Sequence, residues 1–257
     1  MHPALVAARP LVFAHRGGSG LGPENTIPAF DRGLASGADG LELDVRLSRD
    51  GIVVVHHDRL LDRTTTARGR VADRTAAELA GVDATSRFAP TEPRAGIPTL
   101  EEVLRRYPAI TIIIELKGSG VELAHAVIDA VGRANAADRV CLGSFSLQAM
   151  RAARARAPRM ATSAASLEVR IALYRSWCHW RFGRPPYAAF QVPETNGRTR
   201  VVSPRFVRMA HEADVSVQAW TVDAPEDIRR LLDWGVDGII TDRPDIAAQI
   251  VRERYGR

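Results

Sequence analysis

Short apolar runs alternate with stretches of helical period along all 257 residues. Eight runs have strand character: Leu11–His15, Gly40–Arg46, Ile110–Leu116, Val140–Phe145, Met160–Ser163, Ala188–Val192, Val215–Val222 and Gly238–Asp242. Each is short, rich in β-branched or aliphatic residues and bounded by polar or turn-forming ones. The stretches between them carry helix start signals. Asn25-Thr26 precedes Pro28, Thr99 stands three residues before Glu102, Asp223 precedes Pro225 and Glu226, and Ser203 precedes Pro204. These patterns place capping side chains or capping boxes at four helix N-termini. Strand and helix alternating over a chain of this length predict an α/β fold with parallel strands. Eight units in about 250 residues favour a closed (β/α)8 barrel over an open sheet.

One stretch breaks the rhythm. After Gly40–Arg46 comes Arg49-Asp50-Gly51, a hairpin turn signal, so Ile52–His56 is expected to fold back as a short β segment. About forty residues then pass before the next helix, where α/β connections commonly take roughly 2–6. This insertion after the second strand, about residues 59–98, is expected to form a minor subdomain with a small helix near Thr75–Leu79. The whole chain, 1–257, otherwise reads as one barrel domain. The four arginines of Arg151–Arg159 read as a solvated helix face.

Composition narrows the function classes. A 46% hydrophobic and 25% charged chain is ordinary for a soluble globular protein. No run reaches the roughly 18 apolar residues of a membrane span, and "ALVAA" is too short for a signal peptide's apolar region. Cys141 and Cys178 form no CxxC pair and read as buried small hydrophobes in a reducing cytosol, so the expected location is cytoplasmic. The formal charge of +5 favours anionic ligands. Nucleic acid is not among the expected partners, because the arginines are scattered and no basic arm or RNA-binding signature occurs. Of 35 basic residues, Lys117 is the only lysine. Either chance or the need for a compact ammonium accounts for it.

Strand alternation assigns the charges to faces. In "GLELDVRL", Leu41, Leu43, Val45 and Leu47 share one face and Glu42, Asp44 and Arg46 the other. In a barrel wrapped by helices, the acids then point inward. "TIIIELK" likewise aims Glu115 and Lys117 inward at the C-terminal end of a strand, where barrel active sites lie. Clustered carboxylates repel and are costly to desolvate. Two resolutions stand open for them: a divalent cation held by Glu42, Asp44 and Glu115, hard oxygen ligands suited to Mg2+ or Ca2+, or ion pairs with Arg16, Arg46 or Lys117. His15 ends the first strand and His57 ends the "VVVHHD" segment, on the face of Val53 and Val55; His56 points the other way and reads as structural. Two imidazoles at one mouth could move a proton onto one oxygen and off another, the need of phosphodiester cleavage. That shifts the balance towards the cation.

Taken in order, "HRGG…PENT", "ELDVRLSRDGIVVVHHD", "RTTTARG", "IPTLEEVL", "IIIELK", "QAWTVD" and "GVDGIITDRPD" resemble the glycerophosphodiester phosphodiesterase family, from Leu11 to the C-terminal helix. The resemblance implies a TIM-type barrel with a small insertion after the second strand. It implies metal-dependent hydrolysis of a small glycerophosphodiester to glycerol 3-phosphate and an alcohol. By motif, His15 and His57 match an acid/base pair, and Glu42, Asp44 and Glu115 match metal ligands. Arg16 and Lys117 match residues holding the phosphate, and Trp220 an aromatic lining the substrate pocket. Asn25 lies near the site or caps the first helix. Alternatives are a lysophospholipase D-like activity on monoacyl lipids and a non-catalytic anion-binding barrel. The segment Val169–Tyr187 reads as an outer barrel helix with Ile171, Tyr174 and Cys178 facing the strands and its end near the rim opposite the site, not as a membrane-docking face.

Overall fold

The structure, a computed structural model, describes residues 1–118, 120–181 and 183–256. Phe182, inside the Val169–Tyr187 segment, lies outside the described residues. The strands in chain order are β1 (Leu11–His15), β2 (Gly40–Leu47), β3 (Val53–Val55), β4 (Thr111–Leu116), β5 (Val140–Gly143), β6 (Ala161–Thr162), β7 (Ala189–Pro193), β8 (Thr195–Asn196), β9 (Thr199–Arg200), β10 (Ser216–Trp220) and β11 (Gly238–Thr241). Eight of them run parallel in the order β6-β5-β4-β2-β1-β11-β10-β7. A parallel bridge between Ser163 and Ala189 joins the two ends into a barrel. The helices are α1 (Ile27–Ala35), α2 (Ala76–Ala80), α3 (Leu100–Arg106), α4 (Val121–Arg133), α5 (Leu147–Arg156), α6 (Ser166–Trp177), α7 (Pro204–Glu212), α8 (Pro225–Asp233) and α9 (Pro244–Tyr255). The fold is thus the expected (β/α)8 barrel.

Alternation sorts the strand residues as the hydrophobic pattern requires. Leu41, Leu43 and Val45 of β2 pack outward with Ile112 and Ile114 of β4 against α3 and α4 residues such as Leu100, Val103 and Val127. Val217 and Ala219 of β10 and Ile239 of β11 join a second outer cluster with α7 and α8. The inner faces supply Phe13, Ile113, Cys141, Ala161, Ala189 and Ile240, closed below by Leu5. Phe13 fits the interior because two neighbouring strands carry glycine beside it. A Cβ on Gly40 would lie 2.6 Å from its ring, and Gly238 faces the other edge. These side chains fill the lower barrel, and a cavity lined by His15, Glu42 and Glu115 opens at the upper rim.

β3 folds back antiparallel on β2, as the Asp50-Gly51 turn predicts. The stretch between β3 and α3 carries a 3-10 turn, Val71–Asp73, and α2, which Thr75 and Glu78 open as a capping box. It packs Leu61, Val71, Leu79, Ala84 and Ile97 onto Val54.

Several expectations are corrected. Asp223 does not cap α8. Ala224 stands at the cap, and the Asp223 carboxylate accepts from Thr241 Oγ1 and the Asp242 amide instead. Arg154 is not part of a solvated face: its guanidinium is largely buried against Glu168 at 2.6 and 2.9 Å and ties α5 to α6. Cys141 is buried but Cys178 is exposed. Ile171 and Tyr174 are also exposed, because α6 buries Ala172, Leu173 and Ser176. The fifth strand stops at Gly143, which leaves Phe145 in the following loop, 59% exposed. The β8–β9 hairpin was not anticipated, although Asn196-Gly197 is a strong hairpin signal; Gly197 takes the left-handed φ of +59° at the turn.

Candidate active site

The site is assembled by strand ends. β1 delivers His15, then turns sharply. Arg16 has φ +51°, and Gly17 and Gly18 each have +88°. Gly17 is forced twice over, since a Cβ there would lie 2.8–2.9 Å from Phe30 and the Ala29 backbone of α1. The turn aims the Arg16 amide at Glu42 Oε2, 3.1 Å away, and the Arg16 side chain at Glu24 and Asp44. β2 carries Glu42 and Asp44 inward, and β4 carries Glu115 followed by Lys117. Glu42, Asp44, Glu115, His15 and Lys117 are therefore brought together at one mouth, and each sits there because its neighbours in sequence face the helices.

His57 reaches the same cavity by a different route. Val53 and Val55 pack against the outer helices, so alternation alone would have turned His57 outward. The extended strand ends at Val55, and the chain bends before His57. Arg46 holds that bend, donating to the His57 carbonyl at 2.9 Å and to the Lys117 carbonyl at 2.9 Å. Arg46 thus braces backbone beside the site instead of pairing with its acids. His56 is buried on the far side, its Nε2 3.2 Å from the Leu60 carbonyl. Trp220 lines the cavity at the end of β10, its ring edge-on to Phe145 at 6.1 Å.

Both histidines are held through Nδ1 by a carboxylate, His15 by Asp242 at 2.6 Å and His57 by Asp58 at 2.6 Å. Such a bond selects the tautomer with Nδ1 protonated and leaves Nε2 for a ligand. Burial works against the charged form of His15, but Asp242 and Glu42 outweigh it and raise its pKa. Asp242 also accepts from Ser19 Oγ at 2.5 Å. Asp58 is gripped by Arg63 Nε at 2.7 Å, and the same guanidinium forks onto Glu24 at 2.7 and 2.8 Å. Arg63 first, and His57 further, hold the Asp58 carboxyl far below the usual range.

The acids are the most strained part electrostatically. Glu42, Asp44 and Glu115 each offer an oxygen, and these atoms lie within 4.8 Å of one another. Burial, then the charge of Asp44, pushes the Glu42 carboxyl up to about 8. Asp44 is buried too, yet Lys117, Arg16 and His57 more than offset that and leave it below its ordinary value. Asn25 sets the orientation of Asp44, donating to Oδ2 at 2.8 Å and accepting from its amide at 3.2 Å. It does so from a left-handed backbone (φ +59°); Thr26 is the residue that caps α1.

Asp44 Oδ1 and Glu115 Oε1 are buried without an aligned hydrogen bond. Among the described residues only the Lys117 ammonium approaches them, at 3.1 and 2.8 Å. Three converging carboxylates, one pushed towards its neutral form and two sharing a single ammonium, fit a hard divalent cation. Ion pairing through Lys117 and Arg16 is real but leaves these acids incompletely satisfied.

The residues not expected from sequence are Asp242, Asp58, Glu24, Arg63 and Phe145, while Arg46 was expected at the acids and instead binds backbone carbonyls. Asp58 was signalled by its place beside His57 in "HHD", and Asp242 by ending the last barrel strand. Arg63 sits in the insertion, where it opens the "RTTTARG" motif, but no periodicity points its side chain at the site.

Two carboxylate-held imidazoles beside clustered acids and cations at a barrel rim suit the hydrolysis of phosphate diesters. A profile of the glycerophosphoryl diester phosphodiesterase family matches residues 15–246, and the chain belongs to that family. It is 36% identical over 249 residues to a glycerophosphodiester phosphodiesterase of Caldanaerobacter subterraneus, covering 95% of this chain and 98% of that one. Among solved structures, a putative glycerophosphoryl diester phosphodiesterase from Silicibacter pomeroyi superposes with a TM-score of 0.80 at 27% identity, covering 97% and 96%. An Oleispira antarctica phosphodiesterase, solved in complex with the product sn-glycerol-3-phosphate, gives 0.77 at 25% identity, covering 95% and 97%. Among the described residues no helix is long and apolar enough to cross a membrane.

Proposed function

We propose that this chain hydrolyses a glycerophosphodiester to glycerol 3-phosphate and an alcohol. The observation that carries the reading is the convergence of two carboxylate-held imidazoles, three acids and two cationic side chains on one cavity at the barrel's upper rim. The Oleispira relative bound to sn-glycerol-3-phosphate supports the product class.

Glu42, Asp44 and Glu115 hold a divalent cation, Mg2+ or Ca2+, which when bound supplies charge stabilisation at the phosphate oxygens. Arg16 and Lys117 bring two further positive charges to the same oxygens. His15 and His57 form the acid–base pair. One Nε2 accepts the proton of the attacking hydroxyl while the other protonates the departing alkoxide, each transfer contributing about 10²–10⁴ in rate. Asp242 and Asp58 keep both rings in register through the reaction. Trp220 and Phe145 wall one side of the cavity with aromatic surface. A non-catalytic anion-binding barrel would need none of the paired imidazole–carboxylate geometry.

The test is a panel of glycerophosphodiesters incubated with and without EDTA, with products identified by mass. Glycerol 3-phosphate release that stops in chelator, returns with Mg2+ or Ca2+, and is lost in Glu42→Ala and His57→Ala is the expected result. Turnover that persists in excess chelator removes the cation from the reading. No turnover of any diester removes the activity.

A further inference from the structure

An outer helix of a barrel ordinarily turns polar residues to solvent. α6 does not. Leu167, Ile171 and Tyr174, spaced four and three residues apart, form one stripe on the side away from its buried Ala172, Leu173 and Ser176. Trp177 flanks the stripe, and Trp180 follows just past the helix end. These five side chains are 45–66% exposed. Among the described residues they are five of the eleven large hydrophobics left exposed, so exposed apolar surface is concentrated on this one element and not scattered.

The stripe borders the catalytic mouth. Tyr174 and Trp177 line the same cavity as His15 and Glu42, so this end of α6 lies at the site and not at the opposite rim. Positive charge gathers in the same segment. Residues 166–203, α6 and the chain leading to α7, carry six arginines, all exposed, and two acids, a surplus of four out of the whole chain's five. Both acids are turned from solvent. Glu168 is held by Arg154 at 2.6 Å and Glu194 by Arg230 at 2.7 Å, each with 15% of its side chain exposed. Arg170, Arg181 and Arg184 pair with no acid among the described residues.

We propose that this face is a docking surface for an anionic lipid bilayer, which brings the mouth of the cavity to the membrane plane. The occupant follows from the residues. Indole and phenol rings favour the bilayer interface, and Leu167 and Ile171 gain by leaving water. Guanidinium groups without acid partners are drawn to anionic headgroups, each multiplying binding by about fivefold near the surface. A second copy of this chain fits less well, since a two-fold contact would set the same arginine surplus against itself. Docking of this kind lays a helix on the bilayer and needs none to cross it. The inference goes beyond the hydrolytic reading and does not depend on it. Complete deacylation of phospholipids, the class of reaction that yields glycerophosphodiesters, takes place at such a surface.

The experiment is co-sedimentation of the protein with vesicles of phosphatidylcholine alone and of phosphatidylcholine with phosphatidylglycerol, run beside turnover of a soluble glycerophosphodiester. Wild type should bind the anionic vesicles, bind the neutral ones about tenfold more weakly or less, and come off as salt is raised. Ile171→Glu and Trp180→Ala alter exposed side chains that do not line the cavity. Each should weaken vesicle binding by about tenfold while Tm and turnover of the soluble diester stay near wild type. Arg181→Glu combined with Arg184→Glu should weaken it by about tenfold or more. No binding to either vesicle overturns the proposal, and so does binding that is unchanged in both apolar variants. Equal binding to neutral and anionic vesicles removes the charge complementarity and overturns the anionic bilayer as partner. A concentration-dependent dimer in sedimentation velocity that Ile171→Glu disperses means that a second copy covers the face, which also overturns it. Vesicle binding of the expected pattern without turnover of any diester supports the docking surface and overturns the hydrolytic reading alone.

Discussion

Arg63 is the most informative residue to perturb, because it lies outside the barrel yet joins both halves of the candidate site. Its Nε donates to Asp58, which holds His57, and its two terminal nitrogens grip Glu24, which holds Arg16. Arg63→Ala breaks three charge-assisted hydrogen bonds. The Arg63 side chain is half exposed, whereas Glu24 and Asp58 are 15% and 27% exposed. Fully exposed pairs are worth about 0–1 kcal/mol, and hydrogen bonds to charged groups about 1.5–3. Fork geometry on two partly buried acids, discounted for the exposed guanidinium, places the loss at about 1–2 kcal/mol. If the transition state feels all of it, kcat/KM falls about five- to thirtyfold. His57→Ala, by contrast, removes the group to which the proposed mechanism gives a proton transfer worth about 10²–10⁴. Arg63→Lys should recover part of the loss, since one ammonium cannot span both carboxylates. The assay is steady-state kinetics on a glycerophosphodiester, with Tm recorded alongside; at about 2–4 °C per kcal/mol, a drop of under ~8 °C is expected for this chain length. The Asp58→Asn and Arg63→Ala effects should be less than additive, because they remove the same contact. Full activity in Arg63→Ala would refute the coupling, and a loss as deep as that of His57→Ala would show that Arg63 meets the substrate itself.

Three further outcomes follow from the packing. One thiol should react with Ellman's reagent in the native protein and two in denaturant, because Cys178 is exposed while burial pushes the Cys141 thiol up to about 12. Two fast thiols in the native state would mean the barrel interior opens. Gly17→Ala should cost about 1–3 kcal/mol or more, from a φ of +88° and a Cβ meeting the α1 backbone at 2.9 Å, read as a Tm fall of several degrees; an unchanged Tm would mean the turn can relax without penalty. His211 pairs with Asp237 at 2.8 Å, and that bond raises its pKa. The pair's stabilisation is therefore complete below the unfolded-state value near 6.5 and fades as pH climbs past the raised one. The Tm gap between wild type and His211→Gln should be widest at acid pH and close as the pH rises, and a gap that widened with pH would reverse the assignment.

Much of this arrangement is legible in linear order. Glu42, Asp44 and Glu115 alternate with aliphatic residues, so once helices cover the outer face the acids have only the barrel interior to enter. His15 and Lys117 follow because strand parity holds to the end of β1 and one residue past β4. Parity fails for His57, because β3 ends two residues before it and Arg46 decides the path of the chain. It fails also for α6. Its period marks a helix, but not which side meets the strands, and the side left over became the wall of the cavity.

The alternation of strands and helices, the inward acids and the ordered motifs are written in the linear order, because each depends on neighbours within a few positions. The partners come from the closed fold: Asp242 on His15 across 227 residues, Arg63 bridging Glu24 and Asp58, and α6 lining the cavity. These contacts join segments whose approach is set by how the barrel closes and how its loops pack, and no local periodicity encodes the distance between two strand ends.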